Sequence, residues 1–523
     1  MTPDYATFAA LARTHAVVPV HRELIADQET PVSAFRKLAS DGDAALLESV
    51  GGGETWGRFS TIALDPDLVF ESRGSEIVLT RDGRRETRHA ENPMLVLDEL
   101  VRARRSAEVD GVPRMAGGAV GFASYDLVRR FESLPESARD DLGLPDARFV
   151  FFETGVLFDH RYHTLQVVVN TRPGDDPEGA YAAALARIES IQERLSAASP
   201  GHAPSPSPAE GGREGAGGVW PHRHPVFESS MSREEFCAAV EQAQEYIRAG
   251  HVVQVVLAQR LQAELRAAPF DVYRALRVIN PSPYMFFLQS EELAIAGASP
   301  EVLVRRQGPR VEVRPIAGTR PRGSSEDEDR DLERDLLASE KERAEHVMLV
   351  DLGRNDVGRV ARYGSVTVTE FQVVERYSHV MHLVSHVIGA VENGRTNAEV
   401  LAACFPAGTV SGAPKIRAME IIEELEPVRR GIYAGAVGYL DFHGNMDTCI
   451  TIRTLLLRNG RAYLGAGAGI VADSDPASEY AETLNKASAL IRACELAERG
   501  LASFSRAQLA RRFGEAPAEG GDR

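Results

Sequence analysis

The chain has 523 residues, 43% of them hydrophobic and 26% charged, enough apolar side chains for a large buried core. Its 59 Lys and Arg against 76 Asp and Glu leave a formal net charge of −17, which disfavours nucleic acid or an anionic membrane as main partner. An anionic ligand would need a local cation or a local cluster of positive charge. The four cysteines, Cys237, Cys404, Cys449 and Cys494, form no CxxC pair, so neither a zinc knuckle nor a disulfide framework is expected. The N-terminal MTPDYATFAALARTHAVVPV has no basic start followed by an apolar run, and no apolar span of about eighteen residues occurs, so a reducing cytoplasm is the expected compartment.

In chain order, AALLESV, SEIVLT, AGGAVGFASYDL, RFVFFETGVLFDH and TLQVVVNT predict strands, and PEGAYAAALARIESIQERLSAA predicts a closing helix. Residues 196–225 are rich in Pro, Gly, Ser and Ala and mark a linker. Then SREEFCAAVEQAQEYIRAG predicts a helix with Ser232 as N-cap, Glu235 completing a capping box and Gly250 as C-cap. Strands VVQVVLAQRLQAEL, YMFFLQ, LAIAGAS, EVLVRRQ and RVEVRPIAG follow, with a helix at DVYRALRVI. One acidic helix is expected over SEDEDRDLERDLLASEKERAEHVMLVDLGRND. Runs of adjacent strands mixed with helices predict an α+β fold with large antiparallel sheets, sandwich-like and flanked by helices. The expected layout is a region 1–197, a flexible linker 198–225, a domain 226–502 and a frayed polar tail 503–523.

Two glutamate pairs stand out. Glu342 and Glu345 sit three apart in KERAEHVMLVDL, and Glu479 and Glu482 three apart in SDPASEYAETLNKA. On helices each pair shares a face. Such pairs are ordinarily solvated, but four carboxylates gathered together suit a hard divalent cation such as Mg²⁺. AYLGAGAGIVADSDP carries Gly465, Gly467 and Gly469 without a GxGxxG pattern, so a strand-to-loop segment approaching a ligand is expected instead of a dinucleotide fingerprint. FPAGTVSGAPK predicts a turn and then a helix near Pro414, with Thr409 and Ser411 offering hydroxyls. In HVMHLVSH, His379, His382 and His386 fall within two helical turns, a spacing compatible with zinc, with structural histidines or with one general base. Arg453, in CITIRTLLL, is expected on one face of an alternating strand, able to clamp a carboxylate or to form a surface salt bridge.

Read together, PIAGTRPRG, EHVMLVDLGRNDVGRV, ERYSHVMHLVSHV, FPAGTVSGAPKIRAMEII, YAGAVGYLDF, CITIRT and AGAGIVADSDPASEYAETLNKA resemble the chorismate-utilising enzymes, most closely the anthranilate synthase component I branch. The resemblance implies Mg²⁺ held by Glu345 and Glu482, with Glu342 and Glu479 as near or water-mediated partners. It implies chorismate contacts at Gly318, Thr319, Tyr433, Arg453, Gly467, Ala468, Gly469 and Lys486, with Thr409 in the same site. Glu301 matches the acid that protonates the departing C4 hydroxyl, and His382 the residue that removes the C2 proton. The implied reaction joins ammonia to chorismate and releases anthranilate and pyruvate, the first step of tryptophan biosynthesis. LLESV and NPSPYMFF are similar to the segments of a tryptophan feedback pocket, placing Glu48, Ser49, Pro283, Tyr284 and Met285 around an inhibitor. Gly51, Gly52 and Gly53 depart from that pattern. The layout then becomes a regulatory region 1–197 and a catalytic domain 226–502.

Two positions separate the relatives. Some aminodeoxychorismate synthases carry Lys where this chain has Ala317. Isochorismate and salicylate synthases carry Lys where it has Gln254. No Gly-Cys-Leu-Gly glutaminase motif occurs, so the expected ammonia source is a separate glutamine amidotransferase subunit in a hetero-oligomer. The alternatives are aminodeoxychorismate synthase component I, a catalytically silent tryptophan-binding subunit, and a zinc hydrolase built on His382 and His386.

Overall fold

The computed structural model describes residues 1–49, 58–113, 115–197, 224–323, 325–377 and 380–501. Residues 198–223 of the expected linker, the polar tail, Gly51, Gly52, Gly53 and His379 lie outside the described residues.

Twenty-two strands among these residues join through antiparallel ladders, with helices on the outside. A long ribbon, Phe59–Arg73 against Ala147–Asp159, folds the network into two layers. One end of the ribbon pairs with Ala44–Glu48 and Thr164–Thr171, the other with Glu76–Arg81 and Gly118–Ala123. The ladder shifts register between Pro66 and Leu68, where the ribbon passes from one layer to the other. The first layer continues through Tyr284–Gln289, Ala294–Ser299, Thr454–Arg458, Arg461–Ile470 and Gln254–Glu264. The second continues through Ala436–Asp441, Met446–Ile450, Val302–Gln307, Arg310–Val313 and Val380–Ala390. The segments on either side of the linker therefore share both layers.

The alternation of each strand decides which core it feeds. Ala63, Val120, Phe122, Phe152, Phe286, Ile295, Val437 and Cys449 point inward and fill the space between the layers. The outer face of the first layer packs under the helices Pro31–Leu38, Pro177–Ser196, Pro269–Ile279 and Pro476–Arg499. The outer face of the second packs under Pro93–Arg102, Glu340–Gly358 and Asn397–Cys404. Each large side chain fully buried in these cores contributes on the order of 1.5–3 kcal/mol.

The helix Arg233–Arg248 opens with the expected Ser232–Glu235 capping box, and Gly250, at φ +79°, follows its end. Three local expectations change. The acidic helix is two helices, Glu326–Ala338 and Glu340–Gly358, because Ser339 is extended and its side chain caps the second at the Glu342 N–H. The described part of HVMHLVSH, VMHLVSH, is strand and not helix: it lies in Val380–Ala390, where Val380, Val384 and Val387 favour extended backbone and the chain is paired on both edges. His382 and His386 then stand roughly 13 Å apart along the strand, out of reach of a shared zinc ion. Arg453 is not in a strand but in the bridge before Thr454–Arg458, at φ +49°.

One buried ion pair ties the layers to the turns between them. Arg430 is 7% exposed and Glu426 6%. Arg430 donates through Nε and Nη2 to Glu426, through Nη1 to the Val410 carbonyl at 2.6 Å and through Nη2 to the Val256 carbonyl at 2.8 Å. Glu426 also accepts from the Ala258 N–H at 2.9 Å. The Tyr125 and Tyr433 rings lie 4.8 and 5.6 Å from the guanidinium carbon. Arg430→Met should lower the unfolding free energy by about 3–5 kcal/mol, since it strands a buried carboxylate, and adding Glu426→Gln should recover part of that loss. Denaturant midpoints of the two variants check this.

Candidate active site

The chain crosses between the layers twice at one seam. Glu301 lies between Ala294–Ser299 of the first layer and Val302–Gln307 of the second. Arg453 lies between Met446–Ile450 of the second and Thr454–Arg458 of the first. The crossings run side by side: the Ile450 N–H donates to the Glu301 carbonyl at 3.0 Å, and the Ala298 N–H to the Arg453 carbonyl at 3.1 Å. The Ser299 hydroxyl donates to the Ile450 carbonyl at 2.6 Å and fixes the same junction. The seam thus gathers an acid and an arginine without either standing on a regular strand.

Glu301 is 7% exposed, and burial pushes its carboxyl up to about 8, against the lowering influence of Thr409, the Ile316 N–H and Arg453. It is therefore protonated at neutral pH. The Thr409 hydroxyl lies at this carboxyl but is buried without a hydrogen bond of good geometry. His382 is also 7% exposed, and burial followed by the Arg453 charge lowers its pKa, so its ring is neutral. Its Nδ1 lies 3.1 Å from the Gly318 carbonyl and 3.0 Å from the Thr319 hydroxyl. A carbonyl only accepts, so the proton sits on Nδ1 and the lone pair on Nε2. Gly318, at φ +69°, is the bulge where the Ile316–Pro321 ladder shifts, and this turns its carbonyl toward the imidazole. His386 is held elsewhere, by Glu312 at 3.2 Å.

Tyr433 and the glycine strand form the opposite wall. Gly465, Gly467 and Gly469 alternate on one face within Arg461–Ile470, so the strand continues through them and the loop begins after Ile470. A Cβ at Gly465 would lie 2.3 Å from the Tyr433 ring, at Gly467 2.7 Å from its hydroxyl, and at Gly469 2.6 Å from the Gln254 amide. These positions are glycine because Tyr433 and Gln254 lie on that face. Ala468 points the other way and is buried. Lys486 donates to the Gly467 carbonyl at 3.0 Å and pairs with Glu482 at 2.7 Å.

The two glutamate helices converge. Glu345 is pushed up by burial and then by the charges of Glu342 and Glu482, with Lys486 and Lys341 opposing. Glu479, 8% exposed, is pushed up by burial and by Glu482, with a hydrogen bond from Ser474 opposing. Glu342 accepts from Arg320 at 3.3 Å and stands against Gly318, 3.1 Å from where its Cβ would be. The four carboxylates thus share one electrostatic neighbourhood beside Gly318 and Lys486. Among the described residues no three His, Cys, Asp or Glu side chains are drawn together into a closed metal cage. The donor chemistry nevertheless fits a hard cation: oxygen ligands only, and mutual repulsion that a positive ion would relieve.

A second cluster lies at the far end of the first layer. Glu48 pairs in register with Met285 and is 4% exposed. One carboxylate oxygen accepts from the Tyr273 hydroxyl and from Arg277 Nε at 3.0 Å, and the other has no partner. Ser49 and Pro283 are half-buried beside these strands. Tyr284 turns to the opposite face and donates to Asp447 at 2.8 Å. Several contributors carried no sequence signal of their own. These are the Arg430–Glu426 pair, Ser299 at the seam and Tyr377, whose ring lies 5.7 Å from that of His382. Only their three-dimensional neighbours give them a role.

A family model described as chorismate binding enzyme matches residues 45–492. The chain belongs to the chorismate binding enzymes. It is 49% identical over 485 residues to a curated anthranilate synthase component 1 of Thermus thermophilus, covering 92% of this chain and 99% of that protein. It is 45% identical over 485 residues to the corresponding protein of Acetivibrio thermocellus, covering 93% and 97%. A crystal structure of anthranilate synthase component I from Streptococcus pneumoniae superposes with a TM-score of 0.72 at 38% identity, covering 90% of this chain and 99% of that one.

In this chorismate binding enzyme the raised Glu301 makes a direct prediction. The neutral carboxyl is the form the fold favours, so its contribution is full below the ordinary value of 4.5 and is lost as pH rises through about 8. Infrared difference titration should find a carboxyl midpoint near the latter value that Glu301→Gln removes. The stability of the parent protein relative to that variant should fall across the same window.

Proposed function

We propose that this chorismate binding enzyme is the synthase subunit of an anthranilate synthase, converting chorismate and ammonia to anthranilate, pyruvate and water. The observation that carries the reading is similarity to anthranilate synthase component 1 over nearly the whole chain, with Ala317 and Gln254 uncharged in the site. Ala317 offers no lysine nucleophile, and Gln254 cannot serve as the base that would activate water.

Arg453 clamps a chorismate carboxylate through its planar guanidinium. Gly318, Thr319, Tyr433 and the glycine strand from Gly467 to Gly469 shape the ring pocket, with Lys486 at its rim. Ammonia attacks C2 as protonated Glu301 donates to the C4 hydroxyl, which leaves as water. His382, with Nε2 free, takes the C2 proton while the enolpyruvyl group departs. Glu345 and Glu482 would hold Mg²⁺, with Glu342 and Glu479 as near or water-mediated partners. The ion supplies positive charge that offsets a substrate carboxylate in an acidic protein.

The ammonia comes from a glutamine amidotransferase partner in a hetero-oligomer. Tryptophan inhibits by binding near Glu48, Ser49, Pro283, Tyr284 and Met285, where the unpartnered Glu48 oxygen suits an ammonium group. A cytoplasmic location accords with four free cysteines. Among the described residues no helix is long and apolar enough to cross a membrane.

Purified chain given chorismate, Mg²⁺ and ammonium should form fluorescent anthranilate, while accumulation of 4-amino-4-deoxychorismate alone would overturn the reading. Glu482→Gln should raise the Mg²⁺ concentration needed for half-maximal rate by at least about tenfold, a loss typical of a disturbed metal site. An unchanged Mg²⁺ dependence would remove Glu482 from the metal.

A further inference from the structure

A cavity of about 40 Å³ lies behind Glu301, between the helix Glu340–Gly358 and the turn that carries Thr409. Its walls include Glu301, Thr409, Leu349, Leu352, Arg314 and Asp356. A single water needs only about 10–15 Å³ of such space, given polar partners to hold it. Those partners are present. The Thr409 hydroxyl is buried beside the Glu301 carboxyl, close enough to lower its pKa but without a hydrogen bond of good geometry. A poorly partnered buried hydroxyl is destabilising, and ordered water is the usual remedy. The charged groups around Glu301 are Arg453 across the seam, Arg314, and Asp356 held by Lys415 at 2.9 Å.

We propose that this cavity is a water chamber, in which a water molecule bridges the Thr409 hydroxyl and the Glu301 carboxyl and returns a proton to Glu301 after the C4 oxygen has left as water. The proposal rests on the assignment of Glu301 as the acid. In that step the carboxyl O–H bond breaks, an O–H bond forms to the C4 oxygen, and the C4–O bond breaks with its electron pair leaving on oxygen as water. Glu301 is left as a carboxylate. A solvent proton must reach it before the next turnover, and the proton that the attacking ammonia sheds on becoming an amine restores the balance. On that assignment substrate covers the seam, so the cavity walled by Leu349 and Leu352 is the approach left to solvent. Ammonia is the poorer occupant, because a protonated carboxyl beside it would convert it to ammonium and remove the lone pair it needs. Thr409 is then a positioning residue, acting on Glu301 through water.

A crystal structure of the full chain that resolves ordered water should show one within about 2.7–3.2 Å of both Thr409 Oγ1 and a Glu301 carboxyl oxygen. A dry cavity overturns the proposal. Thr409→Val, nearly isosteric, should lower kcat by about tenfold with the KM for chorismate unchanged, and Thr409→Ser should restore it. A raised KM at unchanged kcat, or full kcat in Thr409→Val, overturns it as well. Absence of anthranilate from the parent protein would instead defeat the reading of the site, which keeps the two failures apart.

Discussion

The buried pair of Arg430 and Glu426 is the constraint on which the site depends. One guanidinium holds the carbonyls of Val256 and Val410, and its carboxylate partner holds the N–H of Ala258. Val256 and Ala258 belong to the strand that pairs with the glycine strand, and Val410 follows Thr409. Tyr433 lies against the same cation. Three walls of the pocket are therefore referred to one fixed charge. Isolated burial of either partner would be strongly unfavourable, and the geometry is satisfied because every strong donor and acceptor of the pair has a mate.

The second constraint is electrostatic. A chain at −17 gathers its chemistry where local fields differ from the global one. At the seam, burial keeps Glu301 protonated and His382 neutral, and Arg453 is the positive group between them. A few residues away, four carboxylates crowd together with Lys486 as the compensating charge at Glu482. An acid that keeps its proton, a base that keeps its lone pair and a carboxylate cluster seeking a cation need different environments. The two crossings and the two converging helices provide them side by side.

Much of the chemistry was legible in the residues because it is carried by short motifs. The glutamate spacing on two helices, the capping box at Ser232 and the strands of both halves could be read from periodicity and caps. What could not be read was context. HVMHLVSH has a helical spacing of histidines, yet the valines of its described part, from Val380 on, and the place of that part between two partner strands make it strand. Arg453 sits in an alternating run, but the crossing between layers forces it into a left-handed backbone conformation. Local pattern does not reveal where a chain changes sheets. Gly465, Gly467 and Gly469 were visible as a row, but the reason for them, Tyr433 and Gln254 on the same face, is a long-range contact. The buried Arg430 looked like any arginine in PVRRGIY.

A crystal structure with Mg²⁺ and a chorismate analogue tests the central claim most directly. The account predicts a divalent ion among the carboxylates of Glu342, Glu345, Glu479 and Glu482, touching a ligand carboxylate. It also predicts the Arg453 guanidinium on a ligand carboxylate, with Glu301 and His382 facing the ring. An analogue bound away from the seam, or a metal ion bound away from these glutamates, would contradict it.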